Sequence, residues 1–222
     1  MRLLKLRILA HIPFVKISIA TIVPSMTEHK RPYRMRRRAA SQEETRRKIV
    51  EATMHLHEEL GPRNTTISSI AERAGVQRLT VYRHFPDEMA VFQACTSHWL
   101  EQHPLPDPAD WANERDPLAR YRAAIRAFYD YFAGTRRMWT VSFRDVAEVP
   151  ALQQPMADVA AFLDDVADDL IRAFGKAASS DQIAATIRHA LHFLTWAELE
   201  DQGLDTDRKL ELVTHWLCCS RS

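Results

Sequence analysis

Glycine is scarce in this chain, five among 222 residues, and cysteine is scarcer still at three. No glycine-rich loop of the kind that cradles phosphate occurs, no serine sits on a strand-to-helix elbow, and no His/Cys set has zinc-ligand spacing. Cys95 and the adjacent Cys218 and Cys219 cannot form a disulfide framework, and an odd, sparse count suits a reducing cytoplasm. Internal repeats and low-complexity runs are lacking. Long apolar runs are lacking too. Met1 to Val23 is basic and apolar, but His11, Pro13 and Lys16 interrupt it and no small-residue cleavage site follows. It therefore fits neither a signal peptide nor a membrane span, and no membrane partner is expected. The natural start is expected at Met26 or Met35, with the upstream part a dispensable or mis-called extension.

Charge is abundant but unevenly placed. Residues 1–100 hold 17 Lys/Arg against 9 Asp/Glu, whereas residues 101–222 hold 13 against 20. A basic front and an acidic back suit an anion-binding module joined to a domain with another task. Lys30 to Lys48 alone carry nine Lys/Arg against Glu43 and Glu44. Residues 1–40 are expected to be a basic, disordered extension in which Arg36, Arg37 and Arg38 form an arm. Such an arm neutralises phosphates or reaches a minor groove, or it is merely a solvated leader.

Ser41, with Glu44 three residues on, has capping-box spacing. From it a helix is expected through Ile49, Ala52, Thr53, Leu56 and Leu60 to Gly61-Pro62. His55 and His57 point different ways on that helix, which argues against a shared metal. Ile67, Ile70, Ala71 and Ala74 recur at three- and four-residue intervals, and Thr66 can cap the helix they imply. Gly75 follows where a helix ending in a left-handed residue wants glycine. A second run, Gln77 to His84, leads to Phe85. Two short helices about a glycine turn make a helix-turn-helix, whose second helix can enter a DNA major groove. Gln77, Arg78 and Thr80 can reach base edges. Arg78 is the leading candidate, because a guanidinium can bind guanine bidentately, and Leu79 can touch a thymine methyl. A solvated face at Arg78 and Arg83 is the plainer alternative. The amides of the capped start at Thr66 suit a phosphate.

Thr65-Thr66-Ile67, Ile70-Ala71, Ala74-Gly75-Val76 and Val81-Tyr82-Arg83-His84-Phe85-Pro86 together resemble the DNA-binding domain of TetR-family transcriptional regulators. The resemblance extends from Thr45-Arg46-Arg47-Lys48-Ile49 to about Trp99, roughly a quarter of the chain. It implies that Tyr82 and His84 grip backbone phosphates, that the fourth helix links a DNA-reading head to a ligand-sensing body, and that the chain dimerises. Two residues depart from the family pattern. Leu79 stands where glycine is common, and Glu88 where a lysine usually opens the fourth helix.

The head is therefore placed at residues 41–86 and a helical effector-binding and dimerisation domain at 87–222, in an all-α fold. Alternate prolines from Pro104 to Pro108 forbid helix and mark a boundary. Asp116-Pro117 opens a helix expected to stop at Gly134; a short helix to Val149 and a longer one from Val159 to Phe174 follow. Ser179 to Asp201 is read as one helix apolar on two sides, which must bury both. With the last helix, Asp205 to Cys218, it suggests a four-helix dimer interface. The interface candidates are Ile187, Leu191, Leu194, Trp196, Leu199, Leu210, Val213, Trp216 and Leu217. The candidates for an apolar effector pocket are Trp99, Phe128, Tyr129, Phe132, Trp139, Phe143 and His192.

The expected function is that of a homodimeric repressor, cytoplasmic and without cofactor or metal. Its partners are double-stranded DNA, a second copy of itself and a small apolar or aromatic effector that releases it from a pseudo-palindromic operator. One alternative is a DNA-binding dimer indifferent to ligand. Another is a helical-bundle metal enzyme using His189, His192, His215 and the aspartates 164, 165, 168 and 169. Their spacing does not match the paired Glu-x-x-His arrangement, and adjacent aspartates suit a solvated face.

Overall fold

A computed structural model describes residues 30–175 and 181–219. The expectations about Met1 to Val23 and about the start at Met26 lie outside the described residues. The described residues divide into two units, a smaller one ending at Ser41 and a larger one beginning at Gln42. Every regular element among the described residues is helical.

The helices are α1 Lys30–Leu60, α2 Ile67–Ala74, α3 Arg78–His84, α4 Glu88–Gln102, α5 Ala109–Ala112, α6 Pro117–Asp145, α7 Pro150–Ala173, α8 Asp181–Leu191, α9 Phe193–Asp201 and α10 Thr206–Cys219. A 3-10 turn, Pro62–Asn64, follows α1. Helix α1 begins well before Ser41, so the expected cap there and the disorder of residues 30–40 are corrected. From Tyr33 to Arg47 the chain has neither glycine nor proline and is dominated by arginine, alanine, glutamine and glutamate, all strong helix formers.

Two cores divide the larger unit. Ile49, Val50, Leu56, Ile67, Ile70, Ala71, Val81, Phe85, Val91 and Phe92 form the smaller, and Ala151 from the first turn of α7 belongs to it. The larger is centred on α6 and takes in Trp99, Trp111, Phe128, Phe132, Trp139, Leu170, Phe193 and Trp196.

Three boundaries differ from expectation. Helix α6 runs through Gly134 without a break, since packing on both sides outweighs the roughly 1 kcal/mol that glycine costs in a helix interior. Helix α7 starts at Pro150 and carries Pro155 inside it, where the residue cannot donate to the preceding turn. The segment expected as one helix from Ser179 to Asp201 is broken at His192, whose backbone is extended (φ −76°, ψ 135°) and whose ring accepts from the Leu194 amide at 3.2 Å. The break accounts for the two stripes. Ile183, Ile187 and Leu191 are buried from α8, and Phe193, Trp196 and Leu199 are buried from α9 on a re-aimed axis.

Candidate nucleic-acid interface

The head is assembled by local signals that do what their residue types permit. The Thr66 side chain accepts from the Ser69 amide at 3.1 Å, and Ser69 Oγ accepts in return from the Thr66 amide at 3.0 Å. A reciprocal cap of this kind stabilises a helix start by about 1 kcal/mol. Gly75 closes α2 in the left-handed region (φ 67°), a conformation that strains residues with a Cβ. Val81 and Phe85 are buried against α1 and α2, so α3 has one anchored side. The guanidinium of Arg46 lies 4.3 Å above the Phe85 ring, and Arg73 reaches from α2 to Glu59 on α1 with both terminal nitrogens, at 2.9 and 2.5 Å.

The opposite side of α3 faces water. Gln77, Arg78, Leu79, Tyr82 and Arg83 are exposed, while Thr80 and His84 are half-buried. Neither Arg78 nor Arg83 is held in an ion pair among the described residues, unlike Arg47, Arg63 and Arg73. All seven expected base- and phosphate-facing residues of this helix thus lie along one short element. Arg36, Arg37 and Arg38 are exposed in the smaller unit, with Arg37 over the Tyr33 ring at 5.8 Å.

Sequence patterning does not reveal the joint beneath this head. Asp145, at the end of α6, is 1% exposed. Its carboxylate accepts from Arg144 Nε at 2.6 Å, from Arg144 Nη2 at 3.0 Å and from the Arg63 amide at 3.1 Å. The Arg144 hydrogen bonds, above all, hold its pKa below the ordinary carboxylate value. Arg144 Nη2 also donates to the Leu60 carbonyl, and Arg137 donates to the Glu58 carbonyl at 2.7 Å. Cations from α6 therefore meet two of the carbonyls that end α1, and the Leu60 carbonyl also accepts from the Asn64 side-chain amide at 3.1 Å. Gly61 (φ 87°) passes so close that a Cβ would lie 1.9 Å from Arg144 Nη2.

Behind the joint lies an apolar cavity of about 50 Å³, lined by His57, Cys95, Trp99, Trp139, Leu152, Met156 and Val159, among others. A groove of about 280 Å³ shares Met156 and Val159 with it and adds Phe143, Leu163, Leu191 and His192. The expected pocket residues are thus split. Trp99 and Trp139 line the cavity, and Phe143 and His192 line the groove. Phe128, Tyr129 and Phe132 line neither: they are buried core, and the Tyr129 hydroxyl donates to the Ala190 carbonyl at 3.1 Å.

His57, set apart from His55 on α1, is buried. It stands 3.6 Å from the Cys95 sulfur and edge-on to Phe92. Burial pushes its pKa down to about 4, only partly opposed by Asp145, and pushes the Cys95 thiol up to about 12. A folded-state pKa below the unfolded value means that the unfolded chain takes the proton first. The stabilising effect is complete above about pH 6.5 and fades as pH falls toward 4, with a total near 3 kcal/mol. Denaturant melts of the wild type and His57→Leu at pH 7.5 and 4.5 should show the variant losing about 2–3 kcal/mol less across that interval. Equal losses would remove His57 from the account.

The dimer candidates are also corrected. Ile187, Leu191, Trp196, Leu199, Leu210, Val213 and Leu217 are buried within the chain itself. Only Leu194, 52% exposed, and the half-buried Trp216 remain on the outside, beside His189, His192 and Glu198. An apolar stripe looks the same in sequence whether its own chain or a second copy covers it. Three of the four aspartates weighed for a metal site are ion-pair partners instead: Asp164 and Asp168 face Arg188, and Asp169 faces Arg120 and Arg172.

The profile of "Bacterial regulatory proteins, tetR family" matches residues 49–95, the segment that carries this head. The chain is 40% identical over 70 residues to the HTH-type transcriptional regulator SrpR of Pseudomonas putida, covering 32% of each chain. It is 32% identical over 108 residues to the HTH-type transcriptional regulator TtgR, also of Pseudomonas putida, covering 47% of this chain and 51% of that one. The chain thus spans about a third to about a half of the length of these curated relatives. A TetR-like transcriptional regulator from Rhodococcus sp. RHA1 shares the fold, with a TM-score of 0.59, 15% identity and coverage of 78% of this chain and 93% of that one. With the capped α2, the left-handed Gly75 and the outward face of α3, these matches identify residues 49–95 as a head of the kind found in bacterial regulatory proteins of the tetR family.

Proposed function

We propose that this protein is a cytoplasmic DNA-binding transcriptional regulator. In this reading it acts as a homodimeric repressor that reads a pseudo-palindromic operator with two copies of α3. The observation that carries it is the outward side of α3, where Arg78 and Arg83, without ion-pair partners among the described residues, flank Leu79 and Tyr82 on a helix locked from behind by Val81 and Phe85. Dimerisation is assigned to the outer face of α8 to α10 around Leu194 and Trp216, which leaves the buried stripes to the protomer core. The head's joint to α6 and the cavity behind it support a response to an apolar effector. A cavity of about 50 Å³ is too small for a typical ligand of several hundred ångström cubed, so a ligand entering from the groove must displace Met156 and Val159. Movement there would shift α7 against the head and favour the state that does not fit DNA.

Selection of bound duplexes from a random pool tests the first part. An enriched inverted repeat is the expected result, and unordered sequences would refute sequence-specific reading. On the selected duplex Arg78→Ala should cost about 1–3 kcal/mol and relax one base position per half-site. An equal loss on random DNA would show a phosphate contact instead.

A further inference from the structure

Leu79 is 69% exposed and packs in neither core. At about 100° per residue it lies, with Arg83, about 160° around α3 from the buried Val81. These two residues are therefore the outermost points of the helix. Leu79 is in its first turn, the part of a recognition helix that meets base edges. An isobutyl group offers no donor or acceptor. Set against a cytosine amine or a guanine carbonyl, it would strip water from a polar edge and return nothing. Among the groups on the major-groove floor, the C5-methyl of thymine is the one that an apolar side chain matches. The surrounding cations Arg78 and Arg83, with the exposed Tyr82, supply the charge complementarity that seats this face on a duplex.

We infer that Leu79 is a specificity-determining residue that selects a C5-methyl group at one position of each half-site. This inference rests on the DNA-reading role of α3 and adds what that role lacks, a chemical group to be read. Because the methyl is sensed rather than the pyrimidine's polar edge, 5-methylcytosine should be accepted in place of thymine more readily than cytosine.

The test begins with the duplex selected by the full chain, in which each thymine is replaced in turn by deoxyuridine, which removes only the methyl. One position should respond, with affinity falling about fourfold when one half-site is changed and about fifteenfold when both are. Leu79→Ala should bind the thymine and uracil duplexes alike. At the same position, 5-methylcytosine should bind the wild type several-fold better than cytosine. If no thymine responds, or if the response persists in Leu79→Ala, Leu79 does not read a methyl even though the protein reads DNA. If no duplex is selected at all, the DNA-reading role fails first and this inference with it. Leu79 is exposed, so an unchanged melting temperature in Leu79→Ala separates lost contact from lost fold.

Discussion

Phe132→Ala should lower the stability of the fold by about 3–5 kcal/mol, with a fall in melting temperature on the order of 10 °C. Phe132 is 2% exposed, and its ring centroid lies within 5.4–6.1 Å of those of Phe128, Tyr131, Trp139, Phe193 and Trp196. These aromatic neighbours, held on α6 itself and on α9, cannot collapse onto the space a benzyl group leaves, so most of the cavity cost remains. Thermal unfolding of the purified variant measures the effect. A loss below about 1 kcal/mol would mean that the site is loosely packed, as a ligand pocket is, and would return Phe132 to the effector candidates. A large loss leaves the Trp99–Trp139 cavity and the adjoining groove as the candidate pocket.

Asp145→Ala is expected to cost about 2–4 kcal/mol. The carboxylate holds three hydrogen bonds, two from Arg144 and one from the Arg63 amide, and its removal leaves that amide without its acceptor. Arg144 is half exposed and can turn to water, which limits the penalty to the Asp145 side. Asp145→Asn keeps an acceptor for the amide and should cost less than half as much. Because the Asp145 pKa is lowered in the fold, its contribution is complete at neutral pH and is lost only as pH falls through that lowered value. Denaturant melts at pH 7 rank the two variants, and equal costs would show that charge, not geometry, governs the joint. Operator binding by Asp145→Asn reports separately on the joint's place in function. Weaker binding at unchanged stability would show that it sets the angle of the head.

The helix-turn-helix is legible in the sequence because everything that shapes it is close along the chain. Thr66 and Ser69 cap one another, Gly75 supplies a left-handed turn, and Ile67, Ile70 and Val81 mark the buried side. The same holds for the start of α6 at Asp116-Pro117. Long-range pairing is another matter. Asp145 meets Arg63 across 82 residues, and nothing in the local pattern around either residue signals the other. The apolar stripes of α8 to α10 show which residues leave water but not what covers them, so buried Ile187 and exposed Leu194 read alike. Likewise Phe128 and Phe132 carry the same composition as a pocket wall, and only their neighbours decide that they are filler. His192 hides a helix break because histidine is compatible with either state, and the surplus of apolar surface was the clue to it.

The presence of Ala151 in the smaller core has a consequence for anyone who would build hybrid regulators from this chain. The proline-rich stretch before α6 looks like a seam, and a graft made there would keep α1 to α4 whole. It would also leave behind the first turn of α7, whose Ala151 fills the base of that core and whose Val149 packs on its edge. A transplanted head would arrive with an open socket, wedged against whatever side chains the new body presents there. Transferable units in this chain are therefore discontinuous in sequence: the helix-turn-helix head travels intact only when residues 149–152 travel with it.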